Sequence, residues 1–239
     1  MIIIIGLIAA ISPEIEVFIK DMLEKKTVKF GSITFITGRL YGCDSVLCIC
    51  GMGKVNAAIA TDTLIHSYHP NCILNIGAAG AISQSLSIGD MIIATAYVQH
   101  DIDTSGIIGP PGCIPSINKT HLLCDETLIR HIKKIIQSLP HIKYHCGVIA
   151  TGDRFICTKS DKKRLYELFD SIACDMEGGA MAQTCYIHNT PFAAMRFISD
   201  NADEAATQDF EFNLRKIAHN AQSVVQALFT MLDKGLPTR

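Results

Sequence analysis

The sequence predicts an α/β fold: a single domain over residues 1–239, with a central mixed sheet flanked by helices. Two observations carry that expectation. Continuously apolar runs of roughly four to eight residues, the mark of strands buried on both faces, alternate with segments of helical period. The 239 residues, 49% of them hydrophobic, suffice for one large core, and no linker, repeat or low-complexity stretch divides them.

The run Ile2–Ala9 reads as a buried first strand. No Lys or Arg precedes it, the first basic residue being Lys20, so it lacks the charged start of a signal peptide. At roughly ten residues the apolar stretch is also too short to span a bilayer, which takes about 20. A helix over Pro13–Leu23 follows, with Ser12 as N-cap, Pro13 at its first position and Glu14 in its first turn. Lys29–Leu40 reads as an antiparallel hairpin and Val46–Cys50 as a strand, followed by a helix over Val55–His66. Strands are predicted at Cys72–Ile76 and Met91–Ala96. The Gly- and Pro-rich stretch Asp101–His121 has no clear period, and a loop of that length usually serves function or meets a partner. Beyond it come a helix at Glu126–Leu139, a strand at Cys146–Ala150 and helices at Asp161–Phe169 and Glu177–Tyr186. A strand at Phe192–Ile198 and a long helix at Glu211–Leu232 complete the pattern.

Composition removes several classes of function. The net charge of -2 arises from 21 basic and 23 acidic residues without a basic run, which excludes nucleic acid and membrane surfaces as partners. Ten cysteines without a Cys-x-x-Cys pair read as free thiols of a reducing cytoplasm. The nine histidines are scattered, and no metal site is expected. Gly51-Met52-Gly53-Lys54 fails the Walker A spacing, and no Gly-x-Gly-x-x-Gly follows the first strand, so no nucleotide cofactor is expected either.

In open α/β sheets, ligands bind beyond the carboxyl ends of strands. The polar residues there are Glu14 after strand one, Gly77-Ala78-Ala79-Gly80, Asp175-Met176-Glu177 and Ser199-Asp200. Taken singly, each carboxylate also reads as a helix cap or a complement to a helix dipole.

Taken together, GLIAAISPEIE, CGMGKVNAA, NIGAAGAI, SIGDMIIA, TGDRFI, DMEGGAMAQ and RFISDNAD, in that order from about residue 3 to 225, resemble the bacterial 5'-methylthioadenosine/S-adenosylhomocysteine nucleosidases of the nucleoside phosphorylase superfamily. The resemblance implies a nucleoside phosphorylase-like fold and hydrolysis of an adenine nucleoside without cofactor or metal. It places Asp200 as the general acid at adenine N7, and Glu14, with Arg196 beside it, as the group that activates water. Glu177 would bind the ribose hydroxyls and Met176 pack on the sugar. Phe155 would stack on the purine and the Ile156 backbone read its N1/N6 edge, with Ala78 and Ser199 lining the site. It also implies a homodimer in which loop 104–115, with Ile107, Pro111 and Pro115, covers the 5' group in the second subunit's site.

Two positions depart from the family pattern. Ala78 stands where many members carry serine, and Ile11 replaces a common methionine. The 104–115 loop also reads as short. The main rival is a purine nucleoside phosphorylase, which needs cations for its phosphate. Asn75 stands where the hexameric phosphorylases carry one such arginine, and no Lys or Arg occurs between Met1 and Val17. A catalytically silent nucleoside binder is the second rival. 5'-Deoxyadenosine and 6-amino-6-deoxyfutalosine remain open as substrates.

Overall fold

A computed structural model describes residues 3–203 and 206–233; Met1 and Ile2 of the N-terminal run and the last six residues lie outside the described part. In chain order the elements are β1 (Ile4–Ala9), α1 (Ser12–Asp21), β2 (Leu23–Phe30), β3 (Ile33–Leu40), β4 (Cys43–Ile49), α2 (Lys54–Tyr68), β5 (Cys72–Ala81) and β6 (Met91–Gln99). There follow β7 (Leu122–Leu123), α3 (Glu126–Ile136), β8 (Tyr144–Thr151), α4 (Lys159–Phe169), β9 (Ser171–Asp175), α5 (Gly178–Ile187), β10 (Phe192–Asp200) and α6 (Ala206–Asp233).

Every apolar run read as a strand overlaps one, and every periodic segment overlaps a helix. The differences are local and have physical causes. Ile11, not Ser12, is the N-cap of α1, because the Glu14 carboxylate accepts the Ile11 N–H and takes over the capping. The helix ends at Asp21 rather than Leu23, since Leu23 already pairs with Arg39 in a hairpin longer than its apolar pattern suggests. All eight residues of β2 are exposed, so alternation of buried and exposed side chains never arises there. Residues 101–121 form turns, with one isolated bridge between Ile114 and Lys119.

The sheet is mixed. β4, β1, β5 and β10 run parallel, β10 pairs antiparallel with β6, β6 continues parallel to β8 and β9, and β9 returns antiparallel to β5. Five strands therefore close a ring, and β4–β3–β2 extend outward through β1. The apolar runs and their order carry no sign of this closure. Closure follows from the length of β5, one edge of which pairs with β1 over Cys72–Asn75 and then with β9 at Gly80 and Ala81. Register shifts at Ile198/Asp200, Ala94/Ala96 and Val148/Ile149 supply the bending that closure needs.

Between those two pairings the edge of β5 at Gly77–Ala79 is left without a strand partner, beside the start of α1. The core packs around this point, with Ile5, Leu7 and Ile8 of β1 and Ile73, Leu74 and Ile76 of β5 all buried. All ten cysteines are free, and all but Cys146 and Cys157 are buried. Among the described residues no helix is long and apolar enough to cross a membrane.

Candidate active site

The unpaired stretch of β5 forms one wall of a cavity open to solvent. Its lining brings together Glu14 and Ile11 from the β1–α1 junction, Ala78 from β5, and Phe155 and Ile156 from the loop after β8. Met176 and Glu177 after β9 and Ser199 and Asp200 ending β10 complete it. Of the residues given a catalytic or substrate-binding role from the sequence, Arg196 alone does not line the cavity. It lies in mid-strand behind the wall, fully buried.

Glu14 is held by backbone alone. Its Oε2 accepts the N–H groups of Ala10 at 2.9 Å and Ile11 at 3.1 Å, and its Oε1 accepts that of Ala78 at 2.8 Å. Ala78 thus contributes its amide, which a serine there would supply equally. Burial raises the Glu14 pKa, and Arg196 and the three amides oppose the rise without cancelling it. An ionised carboxylate offers about four acceptor sites, so one remains for a cavity molecule.

Arg196 is anchored by Asp175, which the sequence placed at a strand end without giving it a role. Asp175 Oδ2 accepts from Arg196 Nε at 3.0 Å and Nη2 at 2.7 Å, a forked pair with both side chains 1% exposed. Asp175 Oδ1 in turn accepts from Thr151 Oγ1 and the Gly178 amide. The second ion pair of Arg196 is with Glu177 Oε2 at 3.5 Å. Its Nη1 donates to the Ile76 carbonyl at 3.4 Å and flanks Gly77, where a Cβ would fall 2.3 Å from Nη1 and 2.5 Å from Glu14 Oε1. With φ at +151°, that position admits only glycine. Burial alone would lower the Arg196 pKa, but Asp175, Tyr97, Glu177 and Glu14 hold it well above its ordinary value.

Glu177 sits at the N-cap of α5, and its Oε1 accepts the Gly53 amide at 2.9 Å. Gly53, at φ +93°, is the reason the Gly51-Met52-Gly53 turn exists: it aims an N–H at a carboxylate, not a phosphate. Burial pushes Glu177 up to about 7, with Arg196 pulling down and Asp175 pushing further up. Asp200 Oδ2 lies 2.7 Å from Ser199 Oγ, and its Oδ1 accepts the Ala202 N–H at 2.8 Å. Ser199 Oγ also lies 3.3 Å from the Ala79 carbonyl oxygen.

Met52, Cys174 and Arg154 also line the cavity; Met52 and Arg154 lie within CGMGKVNAA and TGDRFI without a role assigned to them, and Cys174 lies in no motif. Among the described lining residues Arg154 is the one cation, and its guanidinium is engaged by Asp161 at 2.6 Å. Asn75 is buried inside the sheet, donating to the Ile8 carbonyl, and does not reach the cavity. A pocket with four carboxylates and one engaged arginine repels a phosphate dianion and suits neutral, hydroxyl-rich ligands.

Residues 4–230 match the model of the phosphorylase superfamily. A 5'-methylthioadenosine/S-adenosylhomocysteine nucleosidase of Shewanella sediminis is 36% identical over 232 residues, covering 95% of this chain and 99% of its own. The chain belongs to this nucleosidase family. Among solved structures, the nucleosidase of Neisseria meningitidis in complex with methylthio-immucillin-A superposes with a TM-score of 0.92 at 33% identity, over 96% of this chain and 99% of that one. A futalosine hydrolase mutant of Helicobacter pylori superposes with a TM-score of 0.90 at 30% identity, over 98% and 100%. The nucleosidase family thus shares both the fold and nearly its full length with this chain.

Proposed function

We propose that the protein hydrolyses the N-glycosidic bond of 5'-methylthioadenosine and S-adenosylhomocysteine, releasing adenine. The observation that carries this reading is the convergence of Glu14, Glu177 and Asp200, from three separate strand ends, on one cavity that also holds Phe155 and Ile156. The names of the relatives support the substrate class.

Asp200 gives a proton to adenine N7, so that the base leaves neutral while the ribose gains oxocarbenium character. The single proton of Ser199 Oγ can serve either the Ala79 carbonyl or Asp200, both within reach. The closer contact, to Asp200 at 2.7 Å, strengthens as that group becomes anionic, which favours the transition state over the ground state. Glu14 uses its free acceptor site to hold water and take its proton, and the remaining hydroxide adds to the sugar carbon that adenine leaves. The raised pKa of Glu14 makes it the stronger base. Glu177 accepts the two ribose hydroxyls, and Met176 packs on the sugar. Phe155 stacks on the purine while the Ile156 backbone reads its edge. Arg196 touches no substrate; it is a positioning residue that acts through Glu14 and Glu177.

We further propose a homodimer. Met52 at the cavity rim begins an exposed apolar stripe that continues through Val55 and Ile59 of α2, while Ile107 in the 104–115 loop is 92% exposed. Such surfaces suit a second subunit whose loop covers the 5' group. A monomeric mass by light scattering would contradict this.

A second reading draws on the likeness to the futalosine hydrolase. 6-Amino-6-deoxyfutalosine shares the adenine and ribose groups that Asp200 and Glu177 would engage. The deciding assay incubates purified protein with each nucleoside in phosphate-free and phosphate-containing buffer and identifies the sugar by mass spectrometry. Free 5-methylthioribose in both buffers supports hydrolysis. A sugar 1-phosphate formed only with phosphate would transfer the protein to the phosphorylases, and a much higher kcat/KM for the futalosine derivative would favour the second reading.

A further inference from the structure

α2 and α5 pack side by side, and the start of each belongs to the cavity: Gly53, the N-cap of α2, donates to Glu177, the N-cap of α5. Towards the far ends of the same two helices lie Asp62 and His66, one turn apart on α2, and His188, the C-cap of α5. None of the three lines the cavity. We propose that Asp62, His66 and His188 form a surface site for one divalent transition-metal ion of the zinc class, which staples α2 to α5.

The geometry is that of converging ligands. One carboxylate oxygen, Asp62 Oδ1, is 2.8 Å from His188 Nε2 and 3.4 Å from His66 Nδ1. The two imidazole rings stand edge to face with centroids 4.8 Å apart. One ligand atom from each residue can be chosen such that all three lie within 4.8 Å of one another. Around a tetrahedral zinc with bonds of about 2.0–2.1 Å, ligand atoms stand about 3.4 Å apart. The Asp62–His66 separation already has that value, the Asp62–His188 pair must spread slightly, and the two imidazole ligand atoms lie within 4.8 Å of each other before an ion draws them in. The competing bond of His66 Nδ1 runs to the backbone carbonyl of Asp62 at 3.1 Å, on an exposed helix face where water can replace it. Two imidazoles and a carboxylate favour zinc, nickel or copper over magnesium or calcium, and water completes the shell. Separation along the chain hid the set: His188 lies 126 positions from Asp62.

Asp62 and His66 prolong the helical face that carries Val55 and Ile59, so the test uses the untagged protein in its native assembly. After chelation and desalting it is titrated with zinc chloride by calorimetry, with thermal melts in parallel. The expected result is one saturable site per chain and a rise in Tm. Asp62→Asn and the more conservative surface change His66→Ala should each weaken the site by about tenfold or more and remove the rise in Tm. His141→Ala, at an exposed histidine elsewhere, serves as the control and should leave both unchanged. Nucleosidase turnover should stay the same in all three variants. No saturable binding, or undiminished binding in both Asp62→Asn and His66→Ala, would overturn the proposal, the latter by assigning the ion to another group such as the exposed Cys146.

Discussion

Replacing Asp175 with asparagine removes one charge from the most buried ion pair of the site while keeping its shape. Arg196 then loses its forked partner at 2.7 and 3.0 Å, and both side chains are 1% exposed, so water cannot take over. Breaking one half of a buried pair costs about 3–5 kcal/mol. For a chain of this length each kcal/mol lowers Tm by about 2–4 °C, so the variant should melt roughly 6–20 °C below the parent. A second readout separates this from simple damage to packing. Asp175 helps to hold the Glu177 pKa up, and Arg196, released, can close on Glu177 from its present 3.5 Å. Both changes lower the Glu177 pKa, so the acid limb of kcat/KM should move to lower pH in the variant that remains folded. Calorimetric melts and a pH profile at substrate levels below KM measure the two effects. A Tm within about 2 °C of the parent, together with an unmoved acid limb, would refute the assignment of Asp175 as the anchor of Arg196.

Four further outcomes are expected. Asp200→Asn should lower kcat by at least about 10²–10⁴-fold while binding of 5'-methylthioadenosine persists in calorimetry, since only the ionisable proton is lost; unchanged turnover would remove Asp200 as the acid. Glu177 must be ionised to accept two hydroxyls, so kcat/KM should fall as pH drops below about 7, and a flat profile down to about pH 5 would contradict that role. The same group makes the ligand-free protein less stable as pH rises: the folded state keeps the Glu177 proton up to about 7 whereas the unfolded chain releases it near the ordinary value of 4.5, so melts should show this contribution lost across that interval. Gly77→Ala should abolish activity and lower Tm, because its Cβ would fall on Arg196 Nη1 and Glu14 Oε1; an active, stable alanine variant would show that this wall yields.

The order of strands and helices was legible from the chain because burial on both faces writes uninterrupted apolar runs, as in Cys72–Ile76, and amphipathic helices write a period. The carboxylates Glu14, Glu177 and Asp200 were legible for a related reason: polar residues directly after such runs fall at strand ends, and the run of motifs around them is specific. Most of exposed β2, up to Val28, escaped notice because charged, solvent-facing strands carry no alternation. Closure of the sheet could not be read either, since it depends on β5 changing partners from β1 to β9 along one edge. Local sequence has no record of which strand lies beside which.

The same limit governs the finer chemistry. The sequence by itself determined which ionisable groups stand at the ends of strands and that a nucleosidase pattern links them. Only the tertiary structure decided that Asp175, two residues from Glu177, turns inward to hold Arg196, while Glu177 turns to the cavity and to Gly53. A carboxylate's role depends on which charges and amides surround it after folding, and those partners come from segments more than a hundred residues apart. Burial then sets the proton affinity of Glu14 and Glu177, a property of the folded surroundings that no linear spacing encodes.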